Sequence, residues 1–335
     1  MHQRRVQPSV LCILLILSIP TFPAAAQSCQ TSSDLDDATR SAITAAGQRV
    51  FDMAARGDTA SLRQSATASL AADFSGIEAA IKDHQSVLAN AKPTPKSLFL
   101  LEVQGPGPLA HGEFYCGVFG KNGQTANSAV FYLDNLQPGK YAVEILDAVS
   151  PKAHDTFSLI LEAAGNDWKL GGLYIRSQTV AGHDSDWFIA RAREFKTKGA
   201  LHNAWFYFLM ARELVSPLNF MSTAATDKLY DESQTAQPTD LPANGSTVDL
   251  PAAGSVYKLT ALFPQSVGED VDLVVRYQVA DASNGNQAYQ SNIAVIKALL
   301  AKYPELKDAF AGMVARAVDS AGHDYGTLLA MNDIK

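Results

Sequence analysis

Cysteine is scarce in this chain: three residues in 335, too few for the disulfide framework that replaces a core in small secreted domains. Long apolar runs are scarce as well. The run over residues 10–19 is about half of the roughly 20 residues that a membrane-crossing helix needs. Charge of one sign is not concentrated either. The 27 basic and 34 acidic residues leave a net charge of −7, and without a dense basic patch nucleic acid is excluded as a partner. The usual catalytic signatures are missing: no H-E-x-x-H, no C-x-x-C, no Gly-x-Ser-x-Gly, and no phosphate loop ending in Gly-Lys-Ser/Thr. Gly105-Pro106-Gly107-Pro108 is not a nucleotide loop, because its prolines lack the amide donors a phosphate cradle requires. No cofactor and no metal are expected.

What is present is an ordinary globular balance, 47% hydrophobic and 18% charged, long enough for two or three domains. Residues 1–26 read as a removable export signal. Arg4 and Arg5 supply the positive start, residues 10–19 the apolar stretch, and Ala24-Ala25-Ala26 a cleavage site after Ala26. Cleavage removes both arginines and Cys12, leaving a more acidic chain with Cys29 and Cys116. In an oxidising compartment these two thiols either pair, closing a loop of about 90 residues, or stay buried and free.

Residues 35–90 have helical spacing. Ile43, Val50, Phe51 and Ala54 form one apolar stripe, and Gly57-Asp58 interrupts it. Asp58 or Thr59 can cap a second helix through Leu62, Ala66 and Leu70. A third runs from Ser75 through Ile77, Ile81 and Leu88 until Pro93 and Pro95 stop it. The period then changes to two. Strands are expected over 97–104, 113–119, 128–133, 141–146, 156–161 and 168–175, separated by glycine, proline and asparagine turns such as Lys121-Asn122-Gly123. Helices followed by a curled antiparallel sheet predict an α+β fold.

Ala55-Arg56-Gly57-Asp58, the strand around Phe157 and Leu161, and Trp168-Lys169-Leu170-Gly171-Gly172-Leu173-Tyr174-Ile175 make residues 35–180 resemble the nuclear-transport-factor-2-like superfamily. The resemblance implies helices closing a curved sheet into a cone with an apolar interior, in a superfamily that holds both binding modules and enzymes.

Beyond it, Phe188, Ala192, Phe195, Gly199, Ala204, Phe208, Ala211 and Pro217 fall near the spacing of one tetratricopeptide repeat, a helical hairpin. With no second copy to stack on, the hairpin is expected to pack on the sheet domain. The Trp205-Phe206-Tyr207-Phe208 run implies a helix buried nearly all round. The domain plan is therefore signal peptide 1–26, cone-like domain 27–182, packed hairpin 183–233, linker 234–253 and a small C-terminal α+β unit 254–335.

Candidate acid–base residues are Glu144, His111 and Asp184. Strand alternation sets Glu144 on the face opposite Val143 and Ile145, where it is either a cone-lining acid with a raised pKa or an outward charge. His111 follows the proline-rich turn, near Glu113. Asp184 belongs to Gly182-His183-Asp184-Ser185-Asp186, where His183-Asp184 with a second His-Asp pair could hold a divalent metal, or where Asp184 or Ser185 simply caps a helix. His154-Asp155 and His323-Asp324 fall in expected turns. Ser255-Val256-Tyr257-Lys258 has a Ser-x-x-Lys spacing, but a strand would point the two side chains apart. Tyr115, Phe131, Tyr132, Tyr141, Trp168 and Tyr174 are strand aromatics able to line a pocket, with Phe131 lacking a polar handle. The expected function is non-catalytic binding of a small apolar ligand or of another envelope protein by an exported bacterial protein, periplasmic or secreted. The alternative is a cone-pocket enzyme of hydrolase or isomerase type.

Overall fold

The structure, a computed structural model, describes residues 26–121, 123–151, 153–243, 245–267 and 270–334. The expected export signal up to residue 25, with Arg4, Arg5 and Cys12, lies outside them, as do Asn122 of the expected turn and Asn244 of the expected linker. The fold is α+β.

β1 (Ala26–Thr31) leads into α1 (Asp37–Ala55), which Asp36 caps by accepting from the Thr39 amide. Gly57, at φ +69°, ends that helix, and Asp58 caps α2 (Thr59–Ser65). The helix expected to continue through Ala66 and Leu70 is two pieces instead. Ala66 is extended and bridges to Leu170, and Thr67 then caps α3 (Ala68–Ala72). α4 (Ser75–Leu88) follows and buries Ile77, Ile81 and Leu88.

The six expected strands are all present: β2 (Lys92–Gln104), β3 (Leu109–Gly120), β4 (Gly123–Leu136), β5 (Gly139–Val149), β6 (His154–Ala164) and β7 (Asp167–Ser177). Pro93 and Pro95 are part of β2 rather than stops for α4. They are tolerated because β1 pairs only with the 99–104 end, leaving the proline end a local edge.

These strands do not make one curled sheet. β1-β2-β5-β6-β7 form one antiparallel sheet, while β3 and β4 join β8 (Met221–Thr223) in a second. Alternation sorts the first sheet's side chains between two covers. Leu98, Leu100, Ala142, Leu146, Phe157 and Leu159 meet the helices. Phe99, Leu101, Val103, Val143 and Ile145 meet Phe114, Ala129 and Phe131 of the second sheet. The Cys29–Cys116 disulfide, with Cα atoms 5.0 Å apart, ties β1 to β3 across that seam.

The second half begins with α5 (Ser185–Thr197) and α6 (Leu201–Val215), then β8 and α7 (Ala224–Gln234), which Thr223 caps in a capping box. β9 (Val248–Ala252), β10 (Ser255–Val267), β11 (Asp270–Gln278), α8 (Gly285–Lys302), β12 (Gly312–Val318) and β13 (Asp324–Ala330) complete it. The strand order is β13-β12-β11-β10-β9. Only β11 and β12 pair in parallel, and α8 supplies the crossover such a pair requires.

The hairpin does not share its core with the first sheet, as its lone-repeat pattern suggested. Phe188, Phe195, Phe206 and Phe208 join Leu273, Val275, Tyr277, Val295 and Met313 in one cluster with the C-terminal unit. α6 is apolar on several sides and takes cover from α5, α7 and β10 together. The segment expected as a linker contributes Ala236, Leu241 and Leu250 to the same core and contains β9. The stretch around Leu218 and Met221 returns to the first half and fills the seam between its sheets, and α7 lies against β4. No helix among the described residues is long and apolar enough to cross a membrane.

Candidate functional site

The three acid–base candidates sit on three different layers. Glu144 points from β5 towards α1 and is 2% exposed. Gly47 makes its seat: a Cβ there would overlap the Glu144 carboxyl. Oε2 has no hydrogen-bond partner, and burial pushes the pKa up to about 7. His111 lies exposed on β3, its Nδ1 2.8 Å from Oδ1 of Asp134 across the β3–β4 pair. Neighbouring Glu113 accepts from the Tyr115 hydroxyl at 2.7 Å. Asp184 caps α5, accepting from the Trp187 amide at 2.9 Å, while the His183 ring stacks on Trp187.

The five tyrosine and tryptophan candidates do not converge on one cavity either. Tyr115 and Tyr132 are exposed, because β3 and β4 form a separate sheet whose outer face they occupy. Tyr141 is buried in the seam and donates to the Gln137 carbonyl. Tyr174 packs against Phe220, and Trp168 lines a shallow hollow of about 180 Å3 beside Arg49.

Sequence reasoning missed a buried dyad. His84 continues the Ile77, Ile81, Leu88 stripe of α4, which was the available signal, and its Nδ1 lies 2.7 Å from Oδ2 of Asp155. Asp155 is wholly buried and also accepts from Ser177 Oγ at 3.1 Å. His154 and Asp155 are in β6, not in a turn, so they take opposite faces and His154 faces Asp147 instead. The serine meets the carboxylate, not the imidazole, so the trio is not a nucleophile relay. At the far end, ligand atoms of Asp281, Asp319 and His323 lie within 4.8 Å of one another. The Asp319 carboxylate already accepts from the Ala282, Ala321 and His323 amides and from His323 Nδ1, which hold its pKa far below the usual range. It is a clamp for the β12–β13 turn.

A further site lies where the two halves meet, an open cavity of about 500 Å3. Leu209, Met210, Phe263 and Pro264 provide apolar surface. Arg176 enters from β7, held by the Asn219 side chain at 2.6 Å and the Ser216 carbonyl at 3.4 Å. Arg212 enters from α6 with its guanidinium 4.7 Å from the centre of the Tyr230 ring. Burial lowers its pKa from the ordinary arginine value. Neither arginine forms an ion pair with a described carboxylate. The signal was present in the sequence, since Arg212 is the first charge after the long apolar run of α6. A second groove, of about 630 Å3, runs between the edges of the first two sheets, lined by Thr31, Ser32, Ser97, Thr223, Cys29 and Tyr115. No family model, no curated protein and no solved structure matches the chain.

Proposed function

We propose that the chain is an exported, non-catalytic binding protein that holds a small ligand in the cavity between its two halves. The observation that carries this reading is the cavity itself. Its volume of about 500 Å3 and its mixed lining, with Leu209, Met210, Phe263 and Pro264 beside polar and charged side chains at a junction between structural units, suit a small ligand. The Cys29–Cys116 bond supports the expected export, because such bonds persist in oxidising compartments. Against an acid–base enzyme stands the separation of Glu144, His111 and Asp184 onto different layers, since general acid–base catalysis needs groups converging on one reacting atom. Binding of another envelope protein is a second reading, favoured by Tyr115, Val118, Phe119 and Tyr132, which stand exposed on the outer sheet.

Native mass spectrometry of the protein purified from its own cell envelope tests the leading reading. The expected result is a small molecule retained by the native protein, released on denaturation, and absent from Leu209→Trp, whose indole would fill the cavity. An empty wild-type protein, or equal retention by Leu209→Trp, overturns it.

A further inference from the structure

We infer that the occupant of the junction cavity is an amphipathic anion, whose carboxylate or phosphate group is gripped by Arg212 and Arg176 from the two halves of the molecule. This rests on the reading of the cavity as a binding site.

Several other arginines of this protein sit against carboxylates. On α5, Arg191 pairs with Glu194 and Arg193 with Glu232; in the C-terminal sheet Arg316 pairs with Asp324. Arg212 of α6 has only the Tyr230 ring and one long hydrogen bond, 3.5 Å, to Ser233 Oγ. A guanidinium carries five N–H donors, so most of those on Arg212 make no bond to the protein. Arg176 spends two on Asn219 and Ser216 and keeps the rest. Two half-buried cations with spare donors, both lining this cavity, suit the planar two-point binding of carboxylate or phosphate oxygens.

The acidic lining residues do not cancel this preference. Asp227 is tied to the wall, accepting from Gln124 Nε2 at 2.7 Å and Ser222 Oγ at 2.6 Å. Glu213 is exposed to water, where its repulsion is screened more strongly than the attraction of the half-buried Arg212. The other wall, Met210, Phe263 and Pro264, asks for an apolar body on the same ligand. Because one arginine belongs to β7 and the other to α6, an anion bound by both would also bridge the halves.

A matched set of probes tests this by calorimetry on the whole mature protein: octanoate, octyl phosphate and the neutral octanamide, each at low and high salt. Octanoate or octyl phosphate is expected to bind at least about tenfold tighter than octanamide, with the preference shrinking as salt rises. Whichever anion wins assigns the headgroup as carboxylate or phosphate. Arg212→Met is expected to shrink the preference, the anions losing at least about fivefold more affinity than octanamide; an equal loss for all three probes overturns the anion assignment. Equal binding of octanamide and both anions by the wild type overturns the anion assignment and leaves the cavity reading standing. No binding of any probe overturns the assignment and counts against the cavity reading as well. The wild-type comparison needs no variant to fold.

Discussion

The first five-stranded sheet is enclosed on both faces, by helices on one side and a second sheet on the other. The C-terminal sheet gathers its helices against one face, that of Leu273, Val275, Tyr277, Met313 and Ala315, leaving Leu328 half exposed on the other. Their interiors differ to match. Among the described residues the doubly covered sheet holds three buried polar atoms without hydrogen-bond partners, Glu144 Oε2, Ser158 Oγ and His154 Nε2, together with a disulfide, whereas the second half leaves one, Asn203 Oδ1. The C-terminal core is pinned by a satisfied polar hub: Asn292 accepts from the Tyr277 hydroxyl at 2.7 Å and donates to Thr327 Oγ1 and the Tyr325 carbonyl. A covalent link can hold a layer together while it carries several uncompensated groups; the core without that link carries fewer.

Removing the covalent link should break this comparison most severely. Cys29→Ser with Cys116→Ser is expected to cost about 4 kcal/mol by loop entropy, felt by the first half alone. Trp168 reports on that half, and Trp187 and Trp205 on the other, so denaturation followed by fluorescence of single-tryptophan variants separates them. If both reporters shift together, the halves unfold as one unit and the contrast collapses.

Glu144 comes next. Its folded pKa of about 7 lies above the ordinary 4.5, so between those values the folded protein holds a proton that the unfolded chain has released. Stability from this group is therefore full below pH 4.5 and falls as pH rises, the loss reaching about 3 kcal/mol above pH 7. Glu144→Gln should remove that slope, gaining on the wild type by about 3 kcal/mol between pH 4.5 and pH 8 in urea titrations. A wild-type-to-variant difference that stays flat with pH would show that the carboxyl does not titrate in the fold.

Asn292→Leu sharpens the contrast with the smallest effect. Leaving the Tyr277 hydroxyl and Thr327 without their partner should cost about 2 kcal/mol, equally at pH 5 and pH 8, because burial raises the Tyr277 pKa further above that range. A loss confined to one pH, measured by the same titrations, would place an ionising group in that core.

Much of the fold was legible from residues with local rules. Gly57 and Asp58 marked a helix boundary, Asp184 a cap, and alternation found six of the seven strands of the first half, β2 to β7. Non-local choices were not legible. Nothing within β3 or β4 says that they leave the first sheet; that depends on which apolar face is already covered. β1 is short and polar, Ala-Gln-Ser-Cys-Gln-Thr, and becomes a strand only because β2 offers an edge. Period also misled at Ala66, which fits the helical spacing but is pulled out of it by Leu170. The site was less legible for the same reason. Glu144 had its face correctly set by alternation, but its burial depends on Gly47, nearly a hundred residues away. Arg176 and Arg212 acquire a shared meaning only when β7 and α6 are brought to one cavity.

The disulfide also decides how the molecule bears a mechanical load. β1 is an edge strand, held to the first sheet by its ladder with β2. A pull on its outer end would, without the bond, peel that ladder apart one rung at a time. With the bond intact, tension passing Cys29 crosses directly to Cys116 on β3, and both sheets must slide past each other before either yields. The seam filled by Phe99, Phe131 and Met221 then resists in shear rather than by unzipping.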